Sequence, residues 1–306
     1  MKKRILENVL SNLRGQVQAR QNALADLRLQ AFALPEISKA QAEYSKAKFE
    51  ALMKSDKNGE SVQKARLNYQ NALVKYGYSE NSFDYVPQCN KCNDTGFVGG
   101  KLCSCVKKEY MIQLAKECDI LNKAPFSFKD CKVDGMVKEQ KEALEKLYDF
   151  ADKYVSKYPD VTKHILVFMG ATGTGKSCLA SAMARKAVLE KAKSALVLSA
   201  YEFNNTCLNS HLAPIDEKSA VLHNLVNCDF IVIDDLGTEP MLKNVTCEYM
   251  QLVLDERIRK GLTTIITTNL NELQLKERYG ERIFSRLSDT KHSLMRRIPG
   301  KDLRLS

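Results

Sequence analysis

Eight residues near the middle of the chain, Gly170-Ala171-Thr172-Gly173-Thr174-Gly175-Lys176-Ser177, carry the pattern G-x-x-x-x-G-K-S. An apolar run at 165–169 precedes them and a helical pattern follows from Cys178, which is the strand–loop–helix setting this pattern needs. The glycines let the backbone curl until successive amide N–H groups converge, and the positive end of the following helix adds to the same point. Such a nest fits phosphate oxygens. Lys176 is placed to reach the β- and γ-phosphates of a nucleoside triphosphate, and the Ser177 hydroxyl to ligate Mg²⁺. Ala171, Thr172, Thr174 and Cys178 complete the cradle. A glycine-rich turn with a solvated lysine is the plain alternative, and a complete pattern behind a strand argues against it.

Carboxylates recur where such a site needs them. Residues 230–233, Phe-Ile-Val-Ile, run straight into Asp234 and Asp235. A continuous apolar run fits a central parallel strand, and its carboxyl end brings acidic side chains beside the phosphate loop. Asp234 is expected to hold Mg²⁺ with Ser177, and Asp235 to orient or deprotonate the attacking water, with Glu239 a second candidate for that role. A further strand pattern, 263–268, ends at Asn269, which is in reach of the γ-phosphate or the water. Arg282 and Arg286 lie four apart on one helical face. Alone such a pair is usually solvated, but downstream of a triphosphate site it suggests an arginine supplied to a neighbouring subunit's nucleotide.

A second chemistry lies upstream. Cys89-x2-Cys92, ten intervening residues, then Cys103-x-Cys105 bring four thiols around a stretch holding Asp94, Thr95, Gly96, Gly99 and Gly100. Four thiolates so spaced match tetrahedral Zn²⁺, which supplies folding energy to a segment too small to fold alone. Cys118 is a fallback fourth ligand. A redox pair is the alternative, but no thioredoxin-like βαβ pattern surrounds these cysteines.

The elements that position these groups follow from patterning. From Leu6, apolar residues recur at three- and four-residue steps through Leu10, Leu13, Val17, Leu24 and Leu27, with Arg20 breaking the seam. Pro35 ends that helix. A second helix carries Ile37, Ala40, Tyr44, Ala47 and Ala51, a turn falls at 54–59, and a third carries Val62, Ala65, Tyr69, Leu73 and Tyr76. The second and third read as an antiparallel hairpin, either a solvated spacer or a docking module for a partner protein. The expected organisation is 1–86 helical and partner-binding, 87–124 zinc knuckle and linker, and 125–306 a nucleotide-binding α/β domain with a central parallel sheet.

The 306 residues carry a formal net charge of +10, which favours an acidic partner, most often nucleic acid. The start, MKKRILENVL, opens like a signal peptide, but Glu7, Asn8, Asn12 and Arg14 interrupt any apolar core. No window nears the ~18 apolar residues of a membrane span. The reading is therefore a cytoplasmic protein without membrane contact, its scattered cysteines reduced.

Phosphate loop, IDDLG, TTN and ERIFSRL, in this order and spacing, resemble an AAA+ ATPase of the DnaC/DnaI-type replicative helicase loader family over about residues 125–306. The knuckle at 89–105 resembles the zinc-bearing N-terminal region of some of its members. The resemblance implies Asp234 and Asp235 as Walker B carboxylates, Asn269 as sensor 1 and Arg286 as a trans arginine finger with Arg282 beside it. Arg304 is carried over as a second sensor. It also implies ATP, Mg²⁺ and Zn²⁺ as cofactors, a DnaB-type helicase hexamer bound by the N-terminal region, homo-oligomerisation through the AAA+ domains, and single-stranded DNA gripped near residues 201–223. There, aromatics such as Tyr201 and Phe203 can stack on bases; helix packing is the plainer alternative for both and the favoured one for Phe203. A transposition helper ATPase of the IstB type, sharing the AAA+ core, is the alternative.

Overall fold

The apolar runs read from the sequence become the strands of one parallel sheet. The structure, a computed structural model, describes residues 2–54, 60–131, 138–214 and 216–300. The chain divides into a unit Leu6–Lys107 and a unit of Met1–Ile5 with Lys108–Ser306.

In the first unit, α1 (Lys2–Phe32), here from Leu6 onward, is one uninterrupted helix, and α2 (Pro35–Lys54) starts at Pro35 itself, the first-turn position where a missing N–H costs nothing. α2 packs against α3 (Glu60–Lys75) as the predicted antiparallel hairpin. Glu36 pairs with Lys75 at 2.6 Å, and the Tyr44 and Tyr69 rings stack at 5.9 Å. Ala31, Ile37, Tyr69, Leu73 and Phe83 form the buried cluster behind them. From residue 55, the turn between them lies outside the described residues. A short antiparallel ribbon follows, β1 (Phe97–Val98) and β2 (Lys101–Leu102), and α4 (Ser104–Glu117) begins within the cysteine cluster.

The second unit continues through α5 (Ile120–Lys123) and α6 (Lys138–Lys157) to β3 (Ile165–Met169), α7 (Lys176–Leu189), β4 (Ala195–Ser199), α8 (Ala200–Leu212), α9 (Lys218–Asn227), β5 (Phe230–Leu236), α10 (Thr246–Arg259), β6 (Thr263–Thr268), α11 (Glu272–Ser288) and β7 (Ser293–Arg297). The sheet order is β4-β5-β6-β3-β7, parallel throughout. Every residue of β3 and β6 is buried, which is why these strands read as unbroken runs rather than alternations. Because the chain leaves β3 for the far edge while β6 and β7 flank it, a crevice opens at the carboxyl ends beside β3. This is the expected α/β architecture, a central parallel sheet with the glycine-rich loop after β3, preceded by a helical region.

Two residues within the sheet packing were not foreseen. Arg257, which sits in a charged-looking stretch of α10, is fully buried and donates to the carbonyls of Leu225, Cys228 and Thr263 at 2.8, 2.9 and 2.5 Å. Asp229 accepts from the Ser194 amide and hydroxyl at 2.7 and 2.8 Å and is paired with Lys2. Burial alone would raise its pKa, but the bonds from Lys2 and Ser194 win and hold it below its ordinary value. No helix among the described residues is long and apolar enough to cross a membrane.

Candidate nucleotide site and metal centre

The loop 170–175 leaves β3 at Met169 and enters α7 at Lys176. At its start Gly170 adopts φ +158°, and a Cβ there would stand 2.6 Å from the Ile298 carbonyl oxygen. Gly175 at the far end has φ +91° and caps the helix, a conformation that side-chain-bearing residues rarely adopt. Between them the backbone curls as predicted.

Lys176 is buried and folded back over the loop. Its Nζ donates to Gly170 O at 3.0 Å, Ala171 O at 2.7 Å and Asn269 Oδ1 at 2.8 Å. The last contact is informative. Asn269 is 93 residues away in sequence, and only the β6–β3 pairing brings it there. The lysine and the polar residue proposed to sense the γ-phosphate therefore meet over one loop. A cavity of about 520 Å³ opens beside them, lined by Gly170, Ala171, Asn269, Asn271, Gln274 and Arg297 among others.

The carboxylates reach the same edge by a break in register. β5 pairs with β6 evenly up to Ile233↔Ile266, then shifts so that Leu236 faces Thr268. The extra residue falls at Asp234-Asp235, and such a bulge re-aims side chains. Asp235 takes φ +55° and is exposed, its amide donating to Thr267 Oγ1 at 2.9 Å. That same hydroxyl donates to Asp234 Oδ1 at 2.5 Å, so Thr267 orients both residues. The threonine-rich composition of β6 was the only sequence signal for this role. Glu239 is turned inward instead. Its carboxylate accepts from the Gly237 amide at 2.9 Å and from the Tyr279 hydroxyl, with 2 % of the residue exposed. It braces the loop after β5 and does not face the crevice as a free base.

Arg282 and Arg286 share α11 as read. Arg286 is partly exposed and pairs with Asp255 at 2.6 Å. Arg282 is exposed and makes no hydrogen bond or ion pair among the described residues. Of the 201–223 segment, Tyr201 is 56 % exposed while Phe203 is buried in the core at 1 %, so Phe203 packs rather than stacks on a ligand. Arg304 lies outside the described residues.

Cys178 corrects one expectation. The scattered cysteines were read as reduced thiols, yet Cys178 is joined to Cys131 as a disulfide with a Cα–Cα distance of 6.1 Å. The two are 47 residues apart, a pairing that only the fold creates. It ties the segment after α5 to the first turn of α7. Any phosphate contact made by Cys178 is therefore through its backbone.

The other centre lies in the first unit. The sulfurs of Cys89, Cys92, Cys103 and Cys105 all lie within 4.8 Å of one another. Cys89–Cys103 and Cys92–Cys105 are 3.7 Å apart. A tetrahedron with Zn–S bonds of ~2.3 Å has edges of about 3.8 Å, so the residues fit this ion. The Cys105 backbone N–H pulls the Cys103 thiol down to about 6, while desolvation and its thiol neighbours push Cys105 up to about 12. Cys118 is a buried free cysteine outside this cluster. Asp94 fixes the knuckle from within: it accepts from the Tyr85 hydroxyl at 2.6 Å and from the Gln88 and Cys89 amides at 2.9 and 2.8 Å. Arg20 pairs with it at 3.1 Å and lies over the Tyr85 ring. The residue that breaks the apolar seam of α1 thus has a partner, which spacing alone did not show.

Residues 157–289 match the family described as IstB-like ATP binding protein. The replicative helicase loader DnaC of Escherichia coli K12 is 28% identical over 137 residues, 45% of this chain and 55% of that protein. DnaC of Buchnera aphidicola subsp. Schizaphis graminum is 29% identical over 167 residues, 53% of this chain and 62% of that protein. The chain spans about half the length of the curated relatives it matches. A crystal structure of DnaI overlays on 60% of this chain and 92% of its own at 21% identity, TM-score 0.46. One of the DnaC helicase loader overlays on 55% and 97% at 22% identity, TM-score 0.44.

Proposed function

We infer that this chain, an AAA+ protein of the DnaC type, is an ATPase that loads a DnaB-type replicative helicase onto single-stranded DNA. The observation that supports it most directly is the meeting of Lys176 and Asn269 at 2.8 Å over the phosphate loop, with Asp234 and Asp235 on a bulge of the next strand but one. In this reading the loop amides and Lys176 bind the β- and γ-phosphates, while Ser177 and Asp234 hold Mg²⁺, which neutralises charge developing on the phosphates. Asp235 orients the water and Asn269 hydrogen-bonds the γ-phosphate. Arg286 reaches from a neighbouring protomer, exchanging its partner Asp255 for that phosphate. A surface ion pair of this kind is worth only about 0–1 kcal/mol, so the exchange costs little. Hydrolysis removes the γ-phosphate and weakens the seam, releasing the helicase.

Residues 1–86 bind the helicase, 87–124 form the zinc-held knuckle and linker, and 125–306 hydrolyse ATP. The exposed Phe49, Leu52 and Met53 of α2 and Leu67 and Val74 of α3 supply an apolar face for such a partner. The IstB-like match carries the second reading, a helper ATPase that remodels a transposase on DNA. Pull-down of the full chain with a DnaB-type hexamer and, separately, with a transposase decides between them. Capture of the helicase with ATP-dependent release supports loading; capture of the transposase alone overturns it.

A further inference from the structure

α6 packs its Leu144, Ala151 and Val155 face into the second unit, and Tyr148 stands on that same face at helical spacing. Lys186 of α7 bonds Asp152 of α6 at 2.5 Å, one turn beyond Tyr148, and so fixes how α6 lies along α7. The Tyr148 hydroxyl consequently sits against the amino end of α7, 3.2 Å from the point where a Cβ on Gly175 would stand. The side chain is half-buried, and burial pushes its pKa up. Among the described residues the hydroxyl has no hydrogen-bond partner. A phenol needs none for packing, and a phenylalanine would fill the same space. The hydroxyl is not among the fully buried polar atoms that lack a partner; it remains open to a ligand, next to a nest of amides that fits an anion.

We propose that Tyr148 is a nucleotide-binding residue whose hydroxyl donates to a phosphate oxygen of the triphosphate seated at Gly175 and Lys176. The assignment rests on the nucleotide site inferred above and adds to it a group from outside the loop. It also explains Gly175 a second way. The residue must take a left-handed φ and must leave room for the hydroxyl, since any side chain there would press on Tyr148.

The test is Tyr148→Phe in the full chain, which keeps the ring and removes only the donor. Affinities for Mg-ATP and Mg-2′,3′-dideoxy-ATP are measured by titration calorimetry, and the melting temperature without nucleotide is recorded alongside. A hydrogen bond to a charged phosphate oxygen predicts affinity lower by about tenfold for both nucleotides, with the nucleotide-free melting temperature unchanged or slightly raised. Unchanged affinity overturns the assignment. So does a penalty that disappears with the dideoxy nucleotide, because the bond would then be to the ribose. So does a fall in melting temperature with affinity intact, which marks a packing role only. Lys176→Ala separates the two levels: a wild-type chain that binds no ATP, or a Lys176→Ala chain that binds it normally, overturns the nucleotide site itself. Normal loss in Lys176→Ala with no loss in Tyr148→Phe overturns the tyrosine alone.

Discussion

The two candidate centres are built in opposite ways. At the phosphate loop the fold makes the site: five strands fix the loop, and Lys176 already has Gly170, Ala171 and Asn269 around it. At the cysteine knuckle, in the reading proposed above, a metal would make the fold. Strands of two residues each bury little, and four sulfurs are gathered at a spacing that a tetrahedral cation fits. On the proposed function, one centre is a preformed receptor whose occupant comes and goes, and the other is a permanent staple.

That contrast sets the size of each expected effect. Removing the metal with a chelator is the largest. Structural zinc in small domains contributes on the order of 10 kcal/mol, so amide-exchange protection across 88–105 is expected to vanish while that of the 165–169 and 263–268 strands stays. Protection that survives chelation, in a chain carrying no zinc by elemental analysis, would make the knuckle self-supporting. Lys176→Ala comes next: ATP affinity should fall at least about a thousandfold, roughly 4 kcal/mol, with the fold intact by circular dichroism. A preformed receptor that lost its fold instead would dissolve the contrast.

Arg257→Leu probes the scaffold that preforms the loop. It strands several buried carbonyl groups, and a loss of about 3 kcal/mol is expected in denaturant unfolding. A change under about 0.5 kcal/mol would mean that those carbonyls find other partners. Smallest is Cys178→Ala. The side chain is turned to Cys131, so ATP affinity should change less than about twofold, and a tenfold loss would place the sulfur in the phosphate cradle.

How far the sequence led differs between the centres for the same reason. The phosphate loop and the four cysteines were legible because each is written in one short stretch, where glycine placement or thiol spacing is itself the signal. The reach of Asn269 to Lys176 was expected only as a role, since strand order decides it. The bulge at Asp234-Asp235 and its Thr267 brace depend on register, which apolar runs do not encode. Glu239 read as a second candidate behind Asp235, and only packing against Tyr279 turns it inward. Arg20 read only as a break in the apolar seam of α1, and nothing local marks Arg257 among the charges of α10 as buried. Their partners, Asp94 and a set of backbone carbonyls, are remote or carry no sequence identity at all. Cys131 and Cys178 were invisible as a pair for want of any local pattern.

The central claim is that one active seam takes its water-orienting carboxylate from one protomer and its arginine from the next. Mixing Asp235→Asn and Arg286→Ala chains in equal amounts and measuring ATP hydrolysis with single-stranded DNA tests it. Each variant alone is expected to be inactive, while the mixture should regain about a quarter of wild-type turnover, because one seam in four then joins an intact Asp235 to an intact Arg286. A mixture no more active than its two components would contradict the shared seam.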